Sequence, residues 1–277
     1  MAKPTTFYSN LFNGINQRTK KLFTARYSKI NVNWFFLKYL KHLPPGKVHV
    51  HKLLNHPTFF YGGPEYLHGL LEIFIDDIYN QTLPQNAYVL DCGGHIGLSV
   101  IYIKSICPSA QITVFEPDSQ NYSLLKKNIL SHQLDGIDAR QEAVWTENTK
   151  LNFIQEGNMG SKIGSDSTNN TTTVAAVRLK DFINRKVDFL KLDIEGAEYK
   201  VLKDISDNLS MVANMFIEYH GNFHQNSELV EIFEIVSNAG FKFYIKEAAV
   251  NYEQPFLPTK RELDYDIQLN IFCFRNS

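Results

Sequence analysis

The chain has 277 residues, 44% of them hydrophobic and 21% charged, with a formal net charge of -1. That is enough apolar material for a substantial core without disulfides, as one large domain or a domain with an appendage, and it fits a soluble globular protein. No apolar run reaches membrane-spanning length, and Cys92, Cys107 and Cys273 show neither zinc-ligand spacing nor a disulfide framework, so a reducing, cytoplasmic setting is expected.

Charge is unevenly distributed. Ten Lys or Arg residues precede the first acid, Glu65, leaving 18 basic and 29 acidic residues afterwards. A basic leading segment is drawn to phosphorylated substrates, to an anionic membrane surface as a peripheral protein, or to the acidic body of its own chain. No repeat or aromatic-basic motif points to nucleic acid, and composition sets no oligomeric state.

In chain order, residues 18–43 combine basic positions with a recurring apolar face and stop at Pro44-Pro45-Gly46, which reads as one or two amphipathic helices before a breaker. Residues 47–63 suit a small hairpin, and "PEYLHGLLEIFIDDIYN" starts a further helix with proline and Glu65, interrupted in propensity by Gly69. A boundary near residue 80 is expected, giving an N-terminal extension, 1–80, packed on a core of 81–277.

From Tyr88 the pattern becomes an alternation. "YVLD", "QITVFE", "GIDARQEAV", "VDFLKLD" and "NMFIEY" read as strands, separated by helical stretches such as "GLSVIYIKSI", "SQNYSLLKKNILSH", "EYKVLKDI" and "SELVEIFEIVSNAG". Repeated strand-helix crossings imply an α/β fold with a mostly parallel sheet and loops gathered beyond its strand C-termini. The Gly/Ser/Thr/Asn-rich residues 156–174 read as an exposed connection or a substrate-covering flap. "FKFYIK" and "DIQLNIFCF" suit a closing antiparallel pair.

"YVLDCGGHIGLSV" places an acid and three glycines between strand and helix. Asp91 is expected at the exposed strand end, organising the turn and reaching an amino-acid or amide group. Gly93, Gly94 and Gly97 let a ligand approach backbone amides and the helix N-terminus. His95 occupies the position where a dinucleotide fingerprint carries its middle glycine; its side chain faces a ligand or makes a local bond at the helix start. Nineteen residues after Gly97, Glu116 stands at the next strand end, where a carboxylate accepts hydrogen bonds from a ribose diol. Glu142, near the end of the third expected strand, is placed to approach an adenine edge.

"VDFLKLDIEGAEYKVL" supplies a second strand-to-helix turn with Asp193, Glu195 and Glu198 around Gly196. Asp193 is the chemical candidate, Glu195 and Glu198 suit the helix start, and Lys191 suits charge pairing at the sheet rim. In "NMFIEYHGNFH", Glu218 and His220 share one strand face. His220 or Asp193 can accept a proton while Glu218 orients the donor. The same three side chains can instead ligate a divalent ion such as Mg²⁺, which the chemistry does not require, or form a structural network. His224 suits a loop contact, and Trp145, Tyr219 and Phe223 suit either a sugar-stacking wall or ordinary packing.

"VLDCGGHIG", "VFEPD", "VDFLKLDIEGAE" and "FIEYH", in this order over residues 86 to 246, resemble the FkbM-type family of S-adenosylmethionine-dependent methyltransferases. The resemblance implies a class I methyltransferase three-layer sandwich whose seven-stranded sheet has an antiparallel last strand, and O-methylation of a sugar, glycan or related natural product as small-molecule acceptor. It places Asp91, Gly93 and Gly97 in the cofactor loop, Glu116 at the ribose, and Asp193, Glu218 and His220 on the acceptor side. Gly94-His95 departs from the Ala-Asn pair more usual in that loop. An NAD-dependent oxidoreductase and a nonenzymatic S-adenosylmethionine-binding regulator are the competing readings.

Overall fold

A computed structural model describes residues 30–44, 46–154, 162–163, 171–254, 256 and 264–275. The chain divides into two compact units between Ile78 and Tyr79. The basic residues up to Lys29, and most of the polar connection at 156–174, lie outside the described residues.

In the first unit, α1 (Trp34–Lys41) begins where Asn33 Oδ1 accepts from the Phe36 N–H at 2.8 Å, satisfying one orphan donor of the first turn. β1 (His49–Leu53) and β2 (His56–Phe60) form the anticipated hairpin. α2 (Gly63–Gly69), with proline in its first turn, widens into a π-helical stretch, Leu70–Ile75, directly after Gly69. Phe60 stacks on Tyr66 at 3.8 Å between ring centres, and the Tyr66 hydroxyl pairs with His51 Nδ1 at 2.8 Å, so this buried aromatic centre keeps its polar ends satisfied.

The second unit is built on β3 (Tyr88–Cys92), β4 (Gln111–Phe115), β5 (Ile137–Arg140), β10 (Val187–Leu192), β11 (Val212–Gly221), β12 (Lys242–Glu247) and β13 (Ile267–Phe274). They form one sheet in the order β12-β13-β11-β10-β3-β4-β5, in which β13 runs antiparallel to both neighbours and the pairs from β11 to β5 are parallel. Helices α3 (Leu98–Ile106), α4 (Ser119–Ser131), α5 (Glu198–Asp204) and α6 (Asn226–Asn238) flank it. This is the three-layer class I methyltransferase arrangement, antiparallel last strand included.

Strands buried on both faces have no polar side to show, which is why "YVL" and "MFI" read as unbroken apolar runs. Leu90, Leu190, Leu192, Ile217, Leu202 and Ile232 meet in the core, none of them exposed. Asp118 caps α4 by accepting from the N–H groups of Gln120 and Asn121, both at 2.9 Å.

One expected strand divides. "GIDARQEAV" breaks after Arg140: β5 belongs to the main sheet, whereas β6 (Ala143–Trp145) pairs with β9 (Thr171–Arg178) in a second sheet ordered β6-β9-β7-β8, with β7 (Thr149–Ile154) and β8 (Lys162–Ile163). Apolar alternation carries no information about which partner a strand takes, so one pattern served two sheets.

The chain runs outward from β3 through β4 to β5, then returns to the far side of β3 as β10 and β11. The loops after β3 and β10 therefore leave adjacent strand ends in opposite directions, opening the crevice in which open α/β sheets bind ligands. No helix among the described residues is long and apolar enough to cross a membrane.

Candidate active site

The glycine turn is fastened to its neighbours. Gly93 and Gly94 both donate to the Phe115 carbonyl at the end of β4, at 3.0 and 2.8 Å. Gly93 has φ +90°, and a Cβ there would stand 1.8 Å from the Asp193 carbonyl oxygen; one on Gly94 would stand 2.2 Å from Val114 Cγ2. The turn thus lies against β4 and the start of the β10 loop more closely than any side chain permits.

Glu116, 6% exposed, holds this turn in shape: Oε2 accepts the His95 N–H at 2.7 Å and Oε1 the Asp118 N–H at 2.9 Å. Burial pushes its carboxyl up to about 8, the two N–H donors opposing the shift. A carboxylate offers about four acceptor positions, so two remain for a ribose diol. His95 adopts φ +46°, and burial pushes its half-buried imidazole down to about 4, with Asp193 pulling the other way. Glu142 follows β5 on the same rim, where Arg140 Nε engages its Oε2 at 2.6 Å.

Asp91 is not at an exposed strand end. β3 continues to Cys92, and Asp91 is 2% exposed, paired in register with Val114 on one side and Lys191 on the other. Its Oδ2 accepts from the Ser99 hydroxyl at 2.5 Å; Oδ1 lies 3.6 Å from Lys191 Nζ and has no hydrogen-bond partner. Burial raises its carboxyl above the usual range against the pull of Lys191 and Ser99.

Lys191, 3% exposed, joins the two halves of the site. Its Nζ donates to the Gly93 carbonyl at 2.8 Å and to Asp193 Oδ2 at 3.0 Å, besides facing Asp91. Burial works against its charge, but Asp193, Tyr79 and Asp91 outweigh it and hold its pKa well above the ordinary value. The expected charge pairing is therefore present, in the interior.

After β10 the "DIEGAE" turn is built around Glu198, which is fully buried. Its Oε1 accepts from the N–H of Ile194 at 3.0 Å and of Gly196 at 3.1 Å, and faces His220 Nδ1 at 3.3 Å. Glu195 sits at φ +54°, its carbonyl accepting from the Tyr265 hydroxyl at 2.9 Å, while the Tyr265 ring lies 5.0 Å from that of His220. His220 Nε2 lies 3.7 Å from both Glu195 Oε2 and Glu218 Oε1. Donor atoms of Asp193, Glu195 and His220 fall within 4.8 Å of one another.

Asp193, Glu218 and His220 are thus brought together beside the glycine turn, with Glu195 added, Glu198 beneath, and Tyr265 as the member that sequence reading missed. Nothing local marks Tyr265; only the antiparallel return of β13 carries it there. Tyr219 alternates away from Glu218 and His220 and is a core residue, 1% exposed. Phe223 is half exposed and stacks on Tyr252 at 5.5 Å, and Trp145 lies in the second sheet beneath Lys200 Nζ at 5.4 Å, so the three aromatics form no common wall.

Burial disfavours a charged His220, yet the Glu198 hydrogen bond and the charges of Glu198, Glu195 and Asp193 raise it to about 10. The unfolded chain releases that proton near pH ~6.5. Its contribution to stability is then whole below that value and lost as pH rises through 10. Glu116 acts in the same direction, losing its contribution between about 4.3, its unfolded value, and its folded value of about 8. Cofactor-free protein is expected to lose ~5 °C or more in Tm between pH 6.5 and 9.5. A flat calorimetric profile over that range would show that these groups keep ordinary pKa values.

The site fits S-adenosylmethionine in kind. Glu116 retains acceptor positions, Asp91 Oδ1 lacks a partner, and the carboxylates of Asp91, Asp193, Glu195, Glu198 and Glu218 outnumber the Lys191 ammonium and His220 imidazolium, which suits a ligand bearing sulfonium and ammonium charges.

Comparison with known proteins gives the same answer. The family model described as Methyltransferase FkbM domain matches residues 91–243. "Methyltransferase 1" of Beauveria bassiana is 28% identical over 198 residues, covering 60% of this chain and 79% of its own. "Methyltransferase sdnD" of Sordaria araneosa is 28% identical over 186 residues, covering 53% and 72%. The crystal structure of an FkbM methyltransferase from Methylobacillus flagellatus is 16% identical with a TM-score of 0.46, the match taking in 69% of this chain but only 44% of that one. The match spans more than half the chain, from the acid of the glycine turn to β12, and displaces the oxidoreductase reading: the chain belongs to the FkbM family of S-adenosylmethionine-dependent methyltransferases.

Proposed function

We propose that the chain methylates a hydroxyl of a sugar, glycan or related natural product. The observation that carries this is Lys191, whose ammonium ties Asp91 and Gly93 of the cofactor turn to Asp193 of the acidic cluster, so that cofactor and acceptor sides share one rim.

Bound S-adenosylmethionine supplies a methyl carbon made electrophilic by its sulfonium, whose bonding pair stays with sulfur on transfer. An acceptor oxygen has to be held in line behind that carbon at ~3–3.5 Å, with water excluded. Asp193 is engaged by Lys191 and serves to position. His220, charged up to about pH 10, donates a hydrogen bond and is not the group that takes a proton. The carboxylates of Glu195 and Glu218, on either side of Nε2, are placed to accept the acceptor's proton as its oxygen forms the new bond to carbon. Burial raises the Glu195 carboxyl to about 8, near the pH where a base works best.

We further assign the basic leading segment to recruitment of phosphorylated or membrane-associated acceptors, and the protein to the cytoplasm, where its three buried free cysteines persist. Incubation with labelled S-adenosylmethionine and a panel of sugar acceptors, read by mass spectrometry, should yield a methylated acceptor and demethylated cofactor in equal amounts. Glu218→Gln should lower kcat by about 10²- to 10⁴-fold with little change in cofactor affinity. Cofactor binding without any methylated product across the panel would overturn the sugar or glycan hydroxyl as acceptor.

A further inference from the structure

The side chains after β10 and at the end of β11 also form a ligand set. Asp193, Glu195 and His220 each bring one donor atom within 4.8 Å of the others. Two independent features separate this from a solvated acidic cluster. The first is the orientation of His220, whose side chain is 3% exposed. Its Nδ1 rests on Glu198 Oε1 at 3.3 Å, and that carboxylate is itself fixed by the N–H groups of Ile194 and Gly196. A carboxylate on the remote ring nitrogen is how metal-ligating histidines are held, with the other nitrogen presented to the ion.

The second feature is the space in front of that nitrogen. Nε2 stands 3.7 Å from Glu195 Oε2 and 3.7 Å from Glu218 Oε1, beyond a hydrogen bond to either. Lys191 engages Asp193 Oδ2 and leaves Oδ1 for a ligand.

We propose that Asp193, Glu195 and His220 bind a divalent first-row cation, with Glu218 at its edge, the ion displacing the Nε2 proton that His220 carries in the metal-free protein. Two carboxylates and one imidazole with room for further oxygens suit Mn²⁺ better than Mg²⁺, which favours all-oxygen shells, whereas Zn²⁺ is usually held four-coordinate by sets richer in histidine or cysteine. The ion's role rests on the proposed methyl transfer: as a Lewis acid it holds the acceptor hydroxyl and eases loss of its proton. With Glu195 and His220 engaged as ligands, Glu218 is the carboxylate left to take that proton.

The test uses the full chain stripped with chelator and titrated with Mn²⁺ alone, followed by calorimetry and by electron paramagnetic resonance of the free ion. One saturable site per chain is expected. Glu195→Gln, at a partly exposed position, should weaken Mn²⁺ binding by at least about tenfold while circular dichroism shows an unchanged fold. Absence of saturable binding, or equal affinity in Glu195→Gln, overturns the proposal. Failure of the methyl-transfer reading is separately visible: Mn²⁺ would then bind as expected while no acceptor is methylated.

Discussion

Lys191→Met is expected to lower the unfolding free energy by about 3 kcal/mol, because it leaves the buried Asp91 carboxylate and the partly exposed Asp193 carboxylate without their shared counter-charge. Asp91 is 2% exposed with one oxygen already lacking a hydrogen bond, and Asp193 gives its Oδ2 to this ammonium at 3.0 Å. Methionine nearly matches the stem in length but donates nothing, so the Gly93 carbonyl also loses its 2.8 Å partner and the cofactor turn loses an anchor. Urea denaturation at neutral pH reads the effect as a lower midpoint. The double variant Lys191→Met/Asp91→Asn should recover part of the loss, since removing one charge removes part of the repulsion. A midpoint unchanged in the single variant would mean that water already reaches these groups and the interior bridge does not exist.

The second large effect is on cofactor binding. At pH 9, above the value of about 8 to which burial pushes its carboxyl, Glu116→Gln should raise the Kd for S-adenosylhomocysteine by about 10- to 100-fold, the weight of hydrogen bonds made to a charged acceptor. Two backbone N–H groups, of His95 and Asp118, point at the two carboxylate oxygens. Glutamine supplies one oxygen, so one N–H must face an amide N–H2, and the glycine turn relaxes. Ribose hydroxyls then meet a site with fewer acceptors in a less fixed position. Titration calorimetry measures this directly, and an unaltered Kd would remove Glu116 from the ribose. The substitution separates cleanly from Glu218→Gln, whose cost should fall on turnover.

Much of the glycine turn was legible because its geometry is local. The turn from β3 to α3 is fixed by residues adjacent in sequence: glycines where the chain meets Val114 and the Asp193 carbonyl, and apolar runs on either side. Glu116 could be placed from its distance along the chain because one crossover helix separates consecutive parallel strands. Where the reading failed, a neighbour in space decided the matter. Asp91 looked like a strand end, yet β10 and β4 flank it and extend the pairing to Cys92. "GIDARQEAV" looked like one strand, yet β9 captured its second half. Glu198 looked like a helix-start acid, which it is, but its carboxylate also reaches across to His220 on β11.

By itself the sequence determined the α/β alternation, the parallel core and the acids that stand at strand ends, because hydrophobic period and turn chemistry act between residues a few positions apart. Only the tertiary structure decided what those acids do. Whether a carboxylate is paired, free or raised in pKa depends on burial and on charges within a few ångströms, and here those come from Lys191, Tyr265 and His220, brought in by strands whose pairing no local pattern encodes.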